Sequence, residues 1–298
     1  MRKLFLYCAM LIFPLMLVGA TRDIRHEQLD VQNITGEPVM SLDHAVALGH
    51  IPGAIVVTKF GYNPEMSSPT VEESIWDAPE LGGPLRCNTV VTTTPLALFL
   101  SSSDEADAAE VVRIQGTTTD NVAQQIDVTL GADNTVAGTE FVAAGTWLRV
   151  NRMYALGGDL VGDVYLSIDD ADGGTKDGIP DTPLTDIVAV ITAGENQTLQ
   201  ACYRIPAGFV AVLQQQCFGN ATIGGTNDAN FRLRGKVGAT ASRTLVLYTV
   251  GGGDQMCINT TPPRVFPAGV DLEITGAATT QAGSATFGFL LLPAAMAH

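Results

Sequence analysis

The feature that most constrains this chain is a succession of short β-type runs separated by turn residues, with no helical interlude of useful length between them. The runs are Thr89–Leu100, Glu110–Gln115, Gln125–Leu130, Thr146–Tyr154, Gly162–Ile168, Ile187–Ile191, Thr198–Ile205, Phe209–Gln215, Asn230–Lys236, Thr244–Val250, Val270–Ile274 and Ser284–Leu292. In the third, Ile126, Val128 and Leu130 alternate with Asp127 and Thr129, the pattern of a strand with one face in water. No short repeat recurs, which disfavours solenoids and propellers. The expected fold is therefore all-β, an antiparallel β-sandwich or jelly roll.

At 298 residues the chain can bury one large sandwich or two smaller ones. The formal net charge is −15, and no stretch gathers Lys and Arg into the patch that phosphate backbones require, so nucleic acid is not an expected partner. The cysteines Cys8, Cys87, Cys202, Cys217 and Cys257 form no CxxC and no Cys/His cluster, which disfavours zinc. In a cytosolic setting they are expected as buried thiols. In an exported chain the last four can form two disulfides, with the pairing open.

Three segments are expected: a signal-like or upstream segment at 1–39, an extended N-terminal arm at 40–86, and a β-sandwich body at 87–298, built as one large or two smaller jelly rolls. In the first, Arg2 and Lys3 precede the apolar run Leu4–Val18, and Val18-Gly19-Ala20 supplies small residues for signal cleavage. The run is short for a membrane span, so no membrane association is expected of the mature form. Alternatively translation starts at Met40, since Ser41 can cap a short helix that Gly49 ends, and the codons of Gly36-Glu37 can hold a ribosome-binding sequence. From Ile51 to Leu85 the chain is rich in Pro and Gly and lacks periodicity. It reads as an arm anchored by Phe60, Tyr62, Ile75 and Trp76, or alternatively as an ordinary strand and loop packed on its own domain.

The chemistry expected of an enzyme is sparse. The histidines are His26, His44, His50 and His298, so nothing between Ile51 and Ala297 can serve as an imidazole base. Trp is limited to Trp76 and Trp147, which argues against a glycosidase cleft with aromatic platforms. Gly251-Gly-Gly253 reads as a turn rather than a phosphate cradle. No catalytic residue is assigned and no cofactor is expected. The one segment with metal-ligand character is the acidic loop Asp169–Asp181, where Asp170, Asp172, Asp177 and Asp181 could serve Ca²⁺; its other reading is a solvated hairpin loop.

Three stretches in order, Ala47-Leu-Gly-His-Ile-Pro-Gly53, Lys59-Phe-Gly-Tyr-Asn-Pro64 and Glu72-Glu-Ser-Ile-Trp-Asp77, resemble the opening of a family of virion structural proteins of tailed bacteriophages, especially marine and cyanobacterial ones. Ser101-Ser-Ser-Asp104, Trp147-Leu-Arg-Val-Asn-Arg152, Gly162-Asp-Val-Tyr165 and Gly194-Glu-Asn-Gln-Thr-Leu199 continue the resemblance, running into Tyr203-Arg-Ile-Pro-Ala-Gly208. It implies a non-enzymatic capsid-decoration (cement), head-tail or fibre component that self-assembles as a homo-oligomer with other virion proteins. Such a role needs an unpaired edge, arm or apolar patch rather than a pocket. The competing expectation is a secreted bacterial β-sandwich, an adhesin or carbohydrate-binding module.

Overall fold

The computed structural model describes residues 42–77, 94–132, 138–169, 177–181, 186–221, 227–238 and 240–296. The signal-like segment, Met40 and Cys87 lie outside the described residues. A short helix, α1 (Leu42–Ala47), belongs to a first compact unit, Met1–Pro52, and everything below concerns the second, Gly53–His298.

In chain order the strands are β1 (Ile55–Met66), β2 (Glu73–Ser74), β3 (Leu96–Ser102), β4 (Val111–Thr117), β5 (Ala123–Thr129), β6 (Val142–Trp147), β7 (Arg149–Ala155) and β8 (Val164–Ser167). They continue as β9 (Ile187–Ile191), β10 (Cys202–Arg204), β11 (Phe209–Asn220), β12 (Ala229–Val237), β13 (Arg243–Val250), β14 (Gln255–Phe266), β15 (Val270–Ala277) and β16 (Gln281–Pro293). All pairings between them are antiparallel. No helix among the described residues is long and apolar enough to cross a membrane.

Four strands form one sheet in the order β1-β16-β11-β14, and four form a second in the order β10-β15-β12-β13, with β2 added on β15. Taking β1, β10, β11, β12, β13, β14, β15 and β16 as successive strands, the chain winds between the two sheets as a jelly roll. Their facing sides close over one core, in which Phe218 of β11 lies 5.4 Å from Phe231 of β12, and Tyr203 of β10 meets Phe289 of β16 edge-on at 4.9 Å. Aromatic pairs thus bridge the two sheets.

The strands β3 to β9 are an excursion from the roll between β2 and β10. They make a second sandwich, from the sheets β6-β3-β8-β9 and β5-β4-β7, around its own core of Leu98, Leu100, Val112, Ile114, Met153, Leu166 and Ile191. The alternation of β5 is as expected: Val128 and Leu130 are buried while Asp127 and Thr129 are exposed. A third apolar cluster joins the two sandwiches, with Trp76 and Cys202 from the roll meeting Tyr165, Ile187 and Val190 from the insert.

The expected arm is corrected by this topology. Residues 55–66 are the β1 strand of the roll, and Ile75 and Trp76 are 0% and 1% exposed, packed in the roll core and the joining cluster. They are too deeply buried in their own chain to anchor a neighbour. The roll is accordingly assembled from both sides of residue 87.

Candidate polar groove beside the edge strand

The motif Lys59-Phe-Gly-Tyr-Asn63 places its odd residues on the inner face of β1, because Lys59 lies opposite the core residue Phe287. Each meets a different demand there. At Gly61 an added Cβ would sit 2.1 Å from Ile75 O and 2.4 Å from Ala201 N, so only glycine lets the strands approach. Asn63 Nδ2 donates to Ser74 O at 3.2 Å and Glu73 Oε2 at 3.4 Å. Lys59, 5% exposed, reaches across to the insert, where Nζ donates to Asn151 O.

The even residues face outward. Val56, Leu290, Val212 and Val265 stand directly opposite one another across all four strands of that sheet, and Phe60 lies beside this row on β1. Val56 is 47%, Phe60 44% and Val265 59% exposed, whereas Leu290 in the middle of the row is 1% exposed and Val212 half-buried, so apolar surface is offered at the two ends of the row rather than along it. Tyr62 is half-buried, its N–H donating to Leu199 O at 3.3 Å. Of the four expected anchors, then, only Phe60 is well exposed.

Between the Ile55–Lys59 stretch of β1 and the outer side of the β5-β4-β7 sheet runs a groove of about 440 Å³. The insert contributes Gln115, Gln124, Gln125, Asn151 and Arg152; the roll adds Tyr203, Pro206 and Leu291. Gln115 Nε2 donates to Gln125 Oε1 at 2.9 Å, and Arg152 donates to Gln197 Oε1 at 2.6 Å while stacking 4.8 Å over the Tyr154 ring. The next row of the same face pairs Arg113 with Asp127 at 2.6 and 2.8 Å. Because these two are exposed, their pair adds little stability.

The floor of the groove belongs to a polar seam between the sandwiches. Arg149 of β7 and Arg204 of β10 share Asp271 of β15, at 3.2 and 2.8 Å. Asn151 donates to Arg204 O and accepts from Arg204 N, at 3.1 and 2.8 Å. Asn121, at φ 60°, holds Ile205 O and Arg204 Nε. Burial, aided by the like charge of Arg152, pushes the Lys59 ammonium down to about 7, with Asp77 opposing the shift. Burial pushes Asp77 up to about 7, although its carboxylate accepts from Leu199 N at 3.2 Å. Its Oδ1 has no hydrogen-bond partner among the described residues, so nothing offsets the burial of negative charge on that oxygen.

Sequence reasoning missed this groove because its polar groups are scattered over 150 residues of chain and converge only through the roll. The signal within reach was Lys59 set in the apolar stretch Ile55–Phe60. The motifs at Ser101–Asp104 and Gly162–Tyr165 prove to be joints of the insert. Buried Asp107 accepts from Ser102 Oγ at 2.5 Å and from Gly162 N at 3.0 Å, and Ser103 N donates to Asp163 O at 2.9 Å.

For the expected calcium loop, Asp170 and Asp172 lie outside the described residues. Asp177 Oδ1 caps its own turn by accepting from Ile179 N at 3.0 Å, and Asp181 is engaged elsewhere in the structure. Among the described residues no three His, Cys, Asp or Glu side chains cluster as metal ligands.

Buried thiols were expected for a cytosolic chain, and the structure corrects this for three cysteines. Cys217 and Cys257, opposite each other on β11 and β14 with Cα atoms 4.0 Å apart, form a disulfide on the outer face. Cys202 is disulfide-bonded as well.

No protein-family model matches the chain, and neither does any curated protein. Among solved structures it is similar to the naturally occurring empty particles (top component) of Cowpea mosaic virus, at 7% identity over 65% of this chain and 82% of that one, with a TM-score of 0.20. It is also similar to the Gx strain of infectious bursal disease virus, at 7% identity over 82% of this chain and 73% of that one, with a TM-score of 0.24. The jelly-roll assignment rests on the strand order given above.

Proposed function

We propose that this chain is a virion structural protein that acts by self-assembly and subunit contacts, without catalysis. The observation that carries the reading is the winding of eight strands into the sheets β1-β16-β11-β14 and β10-β15-β12-β13, an architecture used for capsid shells and lectins. The exposed apolar side chains at the two edges of the first sheet, Val56 and Phe60 on β1 and Val265 on β14, give such a subunit surface to cover. Within the virion, the ordered motifs from Ala47 to Gly208 favour a tailed-phage component that decorates the capsid or joins head, tail or fibre.

A second reading is favoured by one observation. The Cys217–Cys257 disulfide, together with the bonded Cys202, suits an oxidising compartment, and with the signal-like N-terminus it fits a secreted adhesin or carbohydrate-binding sandwich. Virion surfaces carry disulfides as well, so the bond sits with either. A non-reducing peptide map of purified particles and of culture medium separates the two. Recovery of the chain in particles at constant stoichiometry supports the virion role. Recovery only as a soluble secreted monomer overturns it.

A further inference from the structure

Lys59 has three N–H donors and, among the described residues, one acceptor, Asn151 O. Its neighbours along the groove are Gln115, Gln124, Gln125, Asn151 and Arg152, and among the described residues no carboxylate lines the groove. A buried ammonium with spare donors, beside a second cation, is a group that gains from an incoming anion.

The groove is also a slot between two sheet ends. β1 terminates the sheet β1-β16-β11-β14 and β5 terminates β5-β4-β7. Because Tyr62 N points away from β16, to Leu199 O, the alternation of an antiparallel strand turns the N–H and C=O of Thr58 and Val56 to the same open side. These groups face the groove, and Ala123 to Gln125 form its far side. Such a slot fits an extended peptide added as a strand. A sugar fits it less well, since among the described residues the one aromatic ring lining it, Tyr203, is already packed on Phe289.

We propose that the groove receives an extended, carboxylate-bearing segment of a second copy of this chain, added as a strand along Val56–Thr58 with its carboxylate on Lys59 Nζ and Arg152. A second copy is the occupant that charge complementarity favours: the chain carries −15, with 31 Asp and Glu against 16 Lys and Arg, so a neighbour presents an excess of carboxylates, and a cationic slot relieves the repulsion between copies. The proposal rests on the self-assembly reading above.

The test mixes ¹⁴N- and ¹⁵N-labelled full-length protein, lets it associate, and treats it with a zero-length carbodiimide that joins amines only to carboxylates in contact. Mixed-isotope peptides linking Lys59 to an Asp or Glu are expected. Lys59→Met should raise the self-association Kd about 30-fold, as loss of a desolvated interfacial charge does. Thr58→Pro, which removes an open-edge N–H while sparing the ladder to β16, should weaken it as well. Association of the wild type with no mixed Lys59 link, and a Kd unchanged in both variants, overturns the groove assignment and leaves the virion reading standing. A wild-type chain that stays monomeric at every concentration overturns both.

Discussion

The two flanks of the junction between roll and insert are built on opposite principles. On one, Trp76 is buried among Tyr165, Ile187 and Val190, a contact that needs only shape and dryness. On the other, Arg149, Arg204, Asp271, Asn121, Asn151 and Lys59 interlock through directional bonds. An apolar flank holds two bodies together but tolerates sliding, whereas the polar flank admits one register, since a displaced guanidinium is left buried and unpaired. The difference assigns adhesion to the first and alignment to the second.

That division breaks first at Trp76. Trp76→Ala should cost about 3–5 kcal/mol in chemical unfolding, by emptying the joining cluster. Asp271→Ala comes next, at about 3 kcal/mol, because it strands two largely buried guanidinium groups. If alignment resides on this flank, this variant, and not Trp76→Ala, should also broaden amide NMR signals of both β7 and β10.

A smaller effect is read in pH. The folded chain holds an extra proton on Asp77 between its ordinary 3.8 and about 7, so stability falls as pH rises through that window. Lys59 works in the other direction: between about 7 and 10.5 the unfolded chain holds more protons, and stability rises with pH. The two together give a dip near pH 7 in thermal unfolding. Asp77→Asn should remove its acid limb and Lys59→Met its alkaline limb; a profile unchanged by either refutes the assignment. The smallest effect is at Asn121, where Asn121→Ala should cost about 1–2 kcal/mol in lost hydrogen bonds and strain at φ 60°, and Asn121→Gly less, by keeping the backbone relaxed.

The strands most plainly written in the sequence are those with β-branched runs or alternation, such as Ile187–Ile191, which is β9 residue for residue, and Thr244–Val250, within one residue of β13. Apart from the two-residue β2, the strands that were not legible, β1 and β14, are the ends of one sheet. Both contain proline, Pro64 where the β1 register shifts and Pro262-Pro263 in β14. An end strand needs ladder bonds on one side only, so it tolerates proline that elsewhere breaks a sheet. The run Thr146–Tyr154 proved to be two strands, β6 and β7, in different sheets, because Leu148 turns the chain between them. The groove was less legible still: its residue types are ordinary, and only the winding of the roll brings β1 beside β4, β5 and β7.

The insert leaves the roll after Asp77 and returns at Leu199, and those two residues touch, Leu199 N donating to the Asp77 carboxylate at 3.2 Å. An excursion whose ends are tied at one point behaves as a cartridge: the parts of it that face away from the seam can be lengthened, trimmed or exchanged without asking the host strands to move, as long as Arg149, Asn151 and the apolar partners of Trp76 stay in place. Evolution could therefore restyle the outside of such a subunit many times over while keeping one unchanging frame, and an engineer could use its outer loops to display a foreign segment.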